Sequence, residues 1–303
     1  MDWSGKIRRG LAVCAVAGAC SAVGYGRIIY VDDDGWADGD GSSWENAYRY
    51  VQDALTDSRT ATEPVEIRVA GGIYKPDRSA AHPDGSGDRE AEFSLDDAVS
   101  LRGGFAGRGT ADPNQRDTAA YATILSGDLA GDDCEVSDPC DRVTEPSRWD
   151  NSRHLVRING STHTTFEGFT ITAGYAFLSP ASHDPLRRRA VTDISVFEAS
   201  GGVMIGCSTV TIRDCLFTDN CGWRGGALNI TSGGHAEIED CTFSGNTATD
   251  QGGALYADHV DLRLQRCRFV TNQAMLGTSR ERPPYSTATF EQMALLPLIL
   301  TRP

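Results

Sequence analysis

Four aspartates near the start of the chain offer the oxygen ligands that calcium prefers. The loop after residue 31 reads DDDGWADGDG, and its candidate calcium ligands are Asp32, Asp34, Asp38 and Asp40. Calcium binds carboxylate and carbonyl oxygens, often from closely spaced Asp side chains. Counted from Asp32, the loop lacks the glycine at the sixth position and the glutamate at the twelfth that an EF-hand needs. A turn built from Asp and Gly is the alternative interpretation.

Paired carboxylates are the next groups that could do chemistry. Asp214 and Asp240 precede two similar segments, DCLF and DCTF, and Arg213 stands beside the first of them. Hydrolysis of a glycosidic bond uses two carboxylates on facing sides of the sugar. The third position of the series is Arg266, however, and Asp is an ordinary turn residue. We therefore predict no catalytic residue, and no cofactor unless it is calcium.

The histidines and the isolated cysteines give weaker signals. The histidines at 154, 163, 235 and 259 have no metal-ligand spacing, and surface or coil-edge positions are expected for them. Cys134 and Cys140 lie in one loop, and in an exported chain we expect a local disulfide between them. Cys207 and Cys221 receive no predicted role.

A sequence repeat must position these groups in the second half of the chain. Three residue types recur at one constant interval: Cys215, Cys241 and Cys267; Phe217, Phe243 and Phe269; Asn220, Asn246 and Asn272. We call the interval from Cys215 to Cys241 the repeat period. A fixed period of about 20 to 50 residues is the signature of a repeat architecture.

Each repeat predicts a strand, a sharp bend and a second strand. Val210 and Ile212 alternate with polar residues, but the apolar parity changes before Cys215 and Phe217, so a bend is expected at Asp214. Asn follows, as a residue that tolerates the left-handed region. Glycine pairs then precede a third apolar pair. Three short strands without helical spacing predict a β-solenoid with parallel coils about 4.8 Å apart.

Stacked coils should align like residues in columns. We predict one interior column of Phe side chains, another of Cys side chains and a ladder of Asn side chains. The Cys column is interpreted as small buried hydrophobes rather than as a metal site, because no second ligand type keeps a fixed distance from it.

These repeats resemble a known family. The segments FTDN, FSGN and FVTN, with GGAL twice and GGVM once, look like the FxxN and GGA[LIV] repeats of polymorphic outer-membrane proteins. More broadly, residues 27–274 resemble right-handed parallel β-helix proteins of the pectin-lyase-like fold. The resemblance implies an all-β, right-handed parallel β-helix but no particular function, since that fold hosts lyases, hydrolases, adhesins and stalks. The Asn-Thr-Asp and Gly-His-Gly signatures of its hydrolases are absent, and no Asp-Asp pair stands in a coil that matches their catalytic strand.

The segment from Met1 to Gly26 is predicted to be an export signal. Lys6, Arg8 and Arg9 precede a run of small apolar residues at 11–22. That run is too short to span a bilayer. Cys20 leaves a second possibility open, because residues 17–20 partly match a bacterial lipoprotein box.

Residues 27–60 predict a first strand and an amphipathic capping helix. Ser42 and Glu45 have the spacing of a capping box. The apolar face of the helix would be Ala47, Tyr50, Val51, Ala54 and Leu55. Such a helix at the head of a solenoid would cover its open core, and the β-helix itself is assigned to residues 61–274.

One insertion and one tail depart from the repeat. About twenty extra residues at 177–198 carry Arg187, Arg188 and Arg189, and we treat them as a candidate binding loop because insertions emerge on one face. A solvated charge run is the commoner meaning of such a segment. After residue 274 the pattern stops, and residues 275–303 are predicted to be irregular. A truncated or frame-shifted product and an improvised cap both fit this ending.

The charge balance narrows the classes of partner. The formal net charge is −14, and Lys occurs only at positions 6 and 75. This balance disfavours nucleic acid, anionic membranes and acidic polysaccharides. We predict an exported monomer, extracellular, at the cell surface or periplasmic, with no transmembrane helix in its mature form. Its expected role is structural or adhesin-like, with contact to glycans or cell-surface components. A polysaccharide lyase or glycoside hydrolase of the pectin-lyase-like fold is the alternative.

Export predicts a defined mature terminus. N-terminal sequencing of the secreted protein should find a first residue between positions 20 and 26. A diacylglyceryl group on Cys20 would show that the protein is a lipoprotein. Recovery of Met1 on the secreted protein would contradict the export prediction.

Overall fold

Parallel strand pairing defines the architecture. The computed structural model describes residues 26–177 and 200–275. The strands, numbered along the chain, are β1 (Arg27–Val31), β2 (Val65–Ala70), β3 (Gly72–Tyr74), β4 (Phe93–Leu95), β5 (Val99–Phe105), β6 (Thr123–Ser126), β7 (Val156–Asn159), β8 (Thr164–Glu167), β9 (Phe169–Thr172), β10 (Val203–Arg213), β11 (Leu216–Thr218), β12 (Cys221–Arg224), β13 (Leu228–Glu239), β14 (Thr242–Ser244), β15 (Thr247–Gln251), β16 (Leu255–Ala257), β17 (Asp261–Gln265), β18 (Arg268–Val270) and β19 (Gln273–Ala274). The other described elements are one α-helix, α1 (Val51–Ser58), and two 3-10 turns, Pro139–Val143 and Pro146–Arg148.

These strands form three parallel sheets. The largest has ten strands and contains β1, β2, β4, β5, β7, β8, β10, β13, β16 and β17. The second contains β3, β6, β9, β11, β14 and β18, and the third contains β12, β15 and β19. In the repeats, each strand pairs with its counterpart one coil away, as β11 does with β14 and β14 with β18. The described chain is therefore an all-β parallel β-helix, which confirms the predicted fold class.

The phenylalanine column forms as predicted. Phe217 pairs with Phe243, and Phe243 pairs with Phe269. The ring centroids are 4.7 and 4.8 Å apart, and the ring planes differ by 4° and 5°. Phe217 and Phe243 are completely buried, so these rings stack face to face inside the helix.

The predicted bends fall where the apolar parity changes. Asp214, Asp240 and Arg266 have φ values of 50°, 54° and 51°, in the left-handed region. The prediction that Asn would occupy that region at the next corner was wrong. The positive φ belongs to the residue before each Asn, for example Asp219 with φ 59°. The preceding residue makes the turn, and the Asn side chain is thereby directed into the interior.

Inside, the asparagines form a ladder between coils. Asn220 Nδ2 donates to Asn246 Oδ1 at 3.1 Å, and Asn246 Nδ2 donates to Asn272 Oδ1 at 2.9 Å. Each amide also donates to a backbone carbonyl of the preceding coil, as Asn246 does to Phe217 at 2.9 Å. Because Asn220 and Asn246 are fully buried, these bonds satisfy groups that would otherwise be costly to bury.

The cysteine column also forms. Cys215 and Cys241 are buried, and Cys267 is half-buried. The hydrogen bond with the Cys215 thiol raises the pKa of Cys241, so its thiol stays protonated. Cys215 and Cys241 belong to the main hydrophobic core and Cys267 packs against it, as small apolar side chains do.

Helix α1 is shorter than predicted and lacks the capping box. It begins after Tyr50, whose side chain makes no capping bond. Ser42 instead donates from its N–H and its hydroxyl to Asp40 Oδ1, which holds it in a turn. The helix still buries Val51, Ala54 and Leu55 in the main core. No described helix has the length and apolar character needed to cross a membrane.

The first strand belongs to the solenoid itself. β1 pairs along its whole length with β2, and β2 pairs with β5. Coil stacking therefore begins at Arg27, and the predicted boundary near residue 60 does not separate two units. Helix α1 packs against β1, β2 and β4, at the end of the largest sheet.

The phenylalanine stack predicts a large effect of Phe243→Ala. The substitution should lower the free energy of unfolding by about 3–5 kcal/mol, because a buried ring in contact with both neighbours is lost. Chemical denaturation of the mature chain measures this loss. Leu216→Ala is the matched control, since Leu216 lies beside Phe217 on β11 but is 37% exposed; its loss should stay below about 1 kcal/mol. A similarly small loss for Phe243→Ala would contradict the interior column.

Candidate functional site

The structure gathers only part of the predicted calcium set. Carboxylate oxygens of Asp32, Asp33 and Asp34 lie within 4.8 Å of one another. Asp33, which the sequence prediction passed over, belongs to this group, whereas Asp38 and Asp40 do not. Asp40 is exposed and caps Ser42, whose hydroxyl lowers the pKa of the Asp40 carboxyl.

Two of the three clustered carboxylates already accept backbone hydrogen bonds. Asp32 Oδ1 accepts the N–H of Asp34 at 3.1 Å, and Asp32 Oδ2 accepts the N–H of Arg108 at 2.7 Å. Asp33 Oδ2 accepts the N–H of Ile73 at 3.3 Å. Burial raises the pKa of Asp33, and the charges of Asp32 and Asp34 add to that rise. These bonds fasten the loop to neighbouring segments, as the Asp/Gly-turn interpretation requires.

A second counting frame for the loop was missed at the sequence level. Counted from Asp34, the sixth position is Gly39 and the twelfth is Glu45, as in an EF-hand loop. The described fold does not draw this set together: Gly39 N–H donates to Trp36 O at 3.1 Å, and Glu45 joins no cluster of ligands.

A second acidic group lies in the loop before the 3-10 turns, and no sequence pattern indicated it. Asp128, Asp132 and Asp133 place oxygens within 4.8 Å of one another. Asp128 Oδ1 accepts the N–H of Gly131 at 2.6 Å, which forms a turn. Burial raises the pKa of Asp133 to about 6, against the lowering effects of Arg148 and Asn151. Asn151 Nδ2 donates to Asp133 Oδ2 at 3.0 Å and to Ala173 O at 2.8 Å, which links the loop to the segment after β9.

A cleft opens beside Asp33, where the acidic loop, the start of α1 and the end of β3 meet. Its volume is about 340 Å³. We call it the N-terminal cleft, and it is lined by Asp33, Arg49, Tyr50, Val51, Ile73, Tyr74, Lys75, Arg78, Pro83 and Asp84. Ile73 is 57% exposed, which is unusual for a large apolar side chain. The cleft therefore combines charged groups with an apolar patch.

Three cations of the cleft have no carboxylate partner among the described residues. Arg49 Nε donates to Asp33 O at 3.0 Å, and Lys75 Nζ donates to Leu129 O at 3.2 Å. Arg78 Nε is buried and has no hydrogen-bond partner. None of the three takes part in an ion pair between described residues, although most described arginines do. Their positive charge is thus available to a ligand.

On the outer face of the largest sheet, by contrast, acidic side chains form ion pairs with arginines. Glu66 lies 2.6 Å from Arg68 and 3.4 Å from Arg102. Further along the face, Glu167 contacts Arg102 and Arg116, and Glu239 contacts Arg213. These pairs form a lattice of alternating charges that extends from coil to coil.

The carboxylates weighed for catalysis occupy bends. Asp214 has φ 50° and Asp240 has φ 54°. Asp240 pairs with Arg266 through two bonds of 2.6 and 2.7 Å, and the Arg266 guanidinium lowers the pKa of the Asp240 carboxyl. Arg266, at the third bend, therefore neutralises the charge of Asp240 at the second bend.

The sequence prediction was wrong for one histidine. His154 is buried, and its Nδ1 lies 2.8 Å from Ser200 O. Burial lowers the pKa of His154 to about 4, so the ring is neutral near pH 7. His163 and His259 are exposed and His235 is half-buried, as expected of surface or coil-edge positions.

The predicted disulfide between Cys134 and Cys140 is not formed. The two sulfurs are not joined to each other: Cys134 is exposed, while Cys140 is buried and its Sγ donates to Gln273 Oε1 at 2.6 Å. The first 3-10 turn packs against β15 and brings Cys140 against Gln273 on β19 instead of Cys134. Cys221 is fully buried, and burial raises its pKa to about 12, whereas Cys207 is exposed.

Nearly all of the predicted export signal and nearly all of the predicted irregular tail at 275–303 lie outside the described residues. The candidate binding loop with Arg187, Arg188 and Arg189 lies outside the described residues, and so does Cys20.

Calcium provides a direct test of the acidic loop. Because the carboxylates of Asp32 and Asp33 already accept backbone N–H groups, we expect Ca²⁺ at about 1 mM, where extracellular calcium modules saturate, to leave the melting temperature of the mature chain unchanged. Differential scanning calorimetry with and without EGTA measures this. A calcium-dependent rise that Asp34→Asn abolishes, and that Asp128→Asn retains, would establish a calcium site in the loop.

The comparison with protein families agrees with the observed architecture. A family model described as a right handed beta helix region matches residues 147–282. No curated protein matches the chain. Among solved structures, the chain is similar to the pectin methylesterase PemA from Erwinia chrysanthemi, with 12% identical residues and a TM-score of 0.36. That alignment covers 80% of this chain and 56% of the enzyme's chain, so the protein spans little more than half of the enzyme's length. Together with the parallel sheets, the family match identifies the coils as a right-handed parallel β-helix.

Proposed function

We propose that this protein is an exported, non-catalytic β-helix protein that binds a glycan in its N-terminal cleft. The observation that supports this most is the contrast between the two charged surfaces. The acids of the outer sheet face are paired with arginines, whereas Arg49, Lys75 and Arg78 of the cleft have no ion-pair partner among the described residues.

The paired acids are poorly suited to catalysis. A glycosidase needs one protonated and one ionised carboxyl group on either side of the scissile bond. An arginine within about 4 Å favours the ionised form of a carboxyl group, which opposes the general-acid role. Asp240 has such a neighbour in Arg266, which lowers the pKa of its carboxyl group. The role of the paired acids in this proposal is to fix the coils.

The cleft has the composition of a sugar site. Its volume is at the lower end of the roughly 300–1,000 Å³ of small-molecule sites. Asp33 and Asp84 offer acceptors, Arg49 and Lys75 offer donors, and the exposed Ile73 offers an apolar surface for the C–H face of a ring. Carbonyl contacts to Arg49 and Lys75 hold these cations in place before a ligand arrives.

The cations suggest a glycan that carries isolated acidic groups. A net charge of −14 repels a densely charged polymer at long range. A single carboxylate in the cleft would instead meet three cations, and a charge-assisted hydrogen bond contributes about 1.5–3 kcal/mol. An uronic acid at a chain end or on a side branch therefore fits better than polygalacturonate.

Binding should depend on the cleft cations. We expect Lys75→Met and Arg78→Met to weaken binding of an oligosaccharide with one terminal uronic acid by about tenfold or more, because each removes a charged donor. Isothermal titration calorimetry on the mature chain measures the dissociation constant. Arg268→Met is the matched control, since Arg268 is exposed on β18 and takes part in none of the described ion pairs. Equal losses in all three variants would contradict a specific cleft.

A second measurement on the same samples separates binding from catalysis. Reducing-sugar and unsaturated-product assays on pectate, alginate and neutral glycans should show no turnover, with or without calcium. Turnover that disappears in Asp214→Ala or Asp33→Asn, while the fold survives, would replace this proposal with a lyase or hydrolase. Absence of both binding and turnover would leave a structural role alone.

A further inference from the structure

The outer face of the second sheet differs from that of the largest sheet, because its outward side chains are uncharged from β3 to β14. One outward column runs through five strands, and each member pairs in register with the next. It consists of Ile73, Ile124, Thr170, Leu216 and Thr242. The column beside it consists of Thr172, Thr218 and Ser244. We call these two columns together the outer strip.

The side chains of the outer strip are accessible. Ile73 is 57% exposed and Leu216 is 37% exposed, while Thr170 between them is half-buried. Within the described ranges, no ion pair includes a member of the strip. No hydrogen bond between described residues involves the hydroxyl groups of Thr170, Thr218 or Thr242. The strip therefore presents methyl and hydroxyl groups without any fixed charge.

The loop after β6 follows the strip along one of its long edges. Just after β3, Leu129 O of this loop accepts a hydrogen bond from Lys75 Nζ at 3.2 Å. Just after β11, Arg142 Nη2 lies 2.6 Å from Asp219 Oδ1, and just after β14, Arg142 Nη1 donates to Gly245 O. These contacts place the loop beside the outward columns in several successive coils.

The strip begins inside the N-terminal cleft. Ile73 belongs to both surfaces, and Lys75 lines the cleft at the end of the same strand. Four strand spacings separate Ile73 from Thr242, which amounts to about 19 Å at about 4.8 Å each. A linear ligand can therefore extend from the cleft along the strip without passing a charged side chain of these columns.

The composition of the strip favours a neutral polymer of repeating units. Each coil contributes the same outward positions, so identical units placed one coil apart would meet similar groups. A pyranose ring offers C–H groups to the side chains of Ile and Leu, and hydroxyl groups to those of Thr and Ser. A charged unit on the strip would lose water without gaining a partner, which is costly. A protein partner would usually rely on aromatic or arginine anchors, which the strip lacks.

We propose that a linear neutral glycan lies along the outer strip while an acidic sugar at its end is held in the N-terminal cleft. This inference rests on the glycan binding proposed above and deepens it. The cations of the cleft select the end unit, and the strip selects for chain length. The ligand class is thereby narrowed to neutral, unbranched chains that carry one terminal uronic acid.

A length series of oligosaccharides tests this placement. The probes are cellobiose and cellohexaose, each carrying one glucuronic acid at its non-reducing end, and isothermal titration calorimetry on the mature chain measures both dissociation constants. We expect the longer probe to bind about tenfold more tightly or better, because only its chain reaches the strip. Lys75→Met should weaken the binding of both probes.

A matched pair of variants locates the extra affinity. Thr170→Arg places a long cationic side chain on the strip and should reduce the affinity for the longer probe to that for the shorter one. Thr165→Arg is the control, since Thr165 is a half-buried threonine on β8 of the largest sheet, in the same coil. It should retain the full gain from chain length. Leu216→Arg, at an exposed position of the next coil, is a second blocking variant, and melting temperatures verify that each variant is folded.

The outcomes separate this inference from the function on which it rests. Equal affinity of the unaltered protein for the two probes would overturn the strip and leave the cleft in place. Equal loss of the length gain in Thr170→Arg and Thr165→Arg would overturn it as well, because the gain would not arise on this sheet. Failure of both probes to bind would overturn the glycan-binding cleft and the strip together.

Discussion

In-register stacking of inward side chains is the constraint on which the rest of the structure depends. The phenylalanine rings stack within 4.8 Å, and the asparagine amides bond from one coil to the next. A slip of one residue would turn every side chain to the opposite face. The two columns resist such a slip differently, since the rings need apolar burial and the buried amides need specific partners. Together, the Phe and Asn columns fix the number of residues in a coil and the register of each coil on the next.

This constraint explains where the backbone is strained and where the chemistry lies. Each coil must turn sharply at fixed positions, so Asp214, Arg266 and Thr271 all adopt positive φ without being glycine. Such residues persist only where the surrounding structure determines them. Side chains on the inner face of each coil stack in columns, and charged side chains on the outer face form ion pairs. The N-terminal cleft lies instead where loops and α1 meet, outside the strict repeat, as is usual for sites carried by a rigid scaffold.

The repeat could be predicted from the sequence because it depends on patterns among residues that are close along the chain. Alternation, the parity change before Cys215 and the constant repeat period specify strands, bends and columns without knowledge of distant contacts. The cleft could not be predicted in this way, since Asp33, Arg49 and Lys75 meet only after the loops have packed. The same limit explains the failed prediction for Cys134 and Cys140. Their closeness in sequence indicated a bridge, but the 3-10 turn packs Cys140 against Gln273 on the solenoid.

The most direct test of the stacked architecture removes one complete coil. Deletion of residues 221–246 joins Asn220 to Thr247, so Phe217 should stack on Phe269 and every column should continue in register. We expect this variant to retain its β-sheet circular dichroism and to unfold cooperatively, because stability in solenoids is carried by contacts between neighbouring coils. Deletion of residues 222–246, which is one residue shorter, should abolish cooperative unfolding, since it reverses the faces of the following strands. Equal behaviour of the two deletions would contradict the in-register stack.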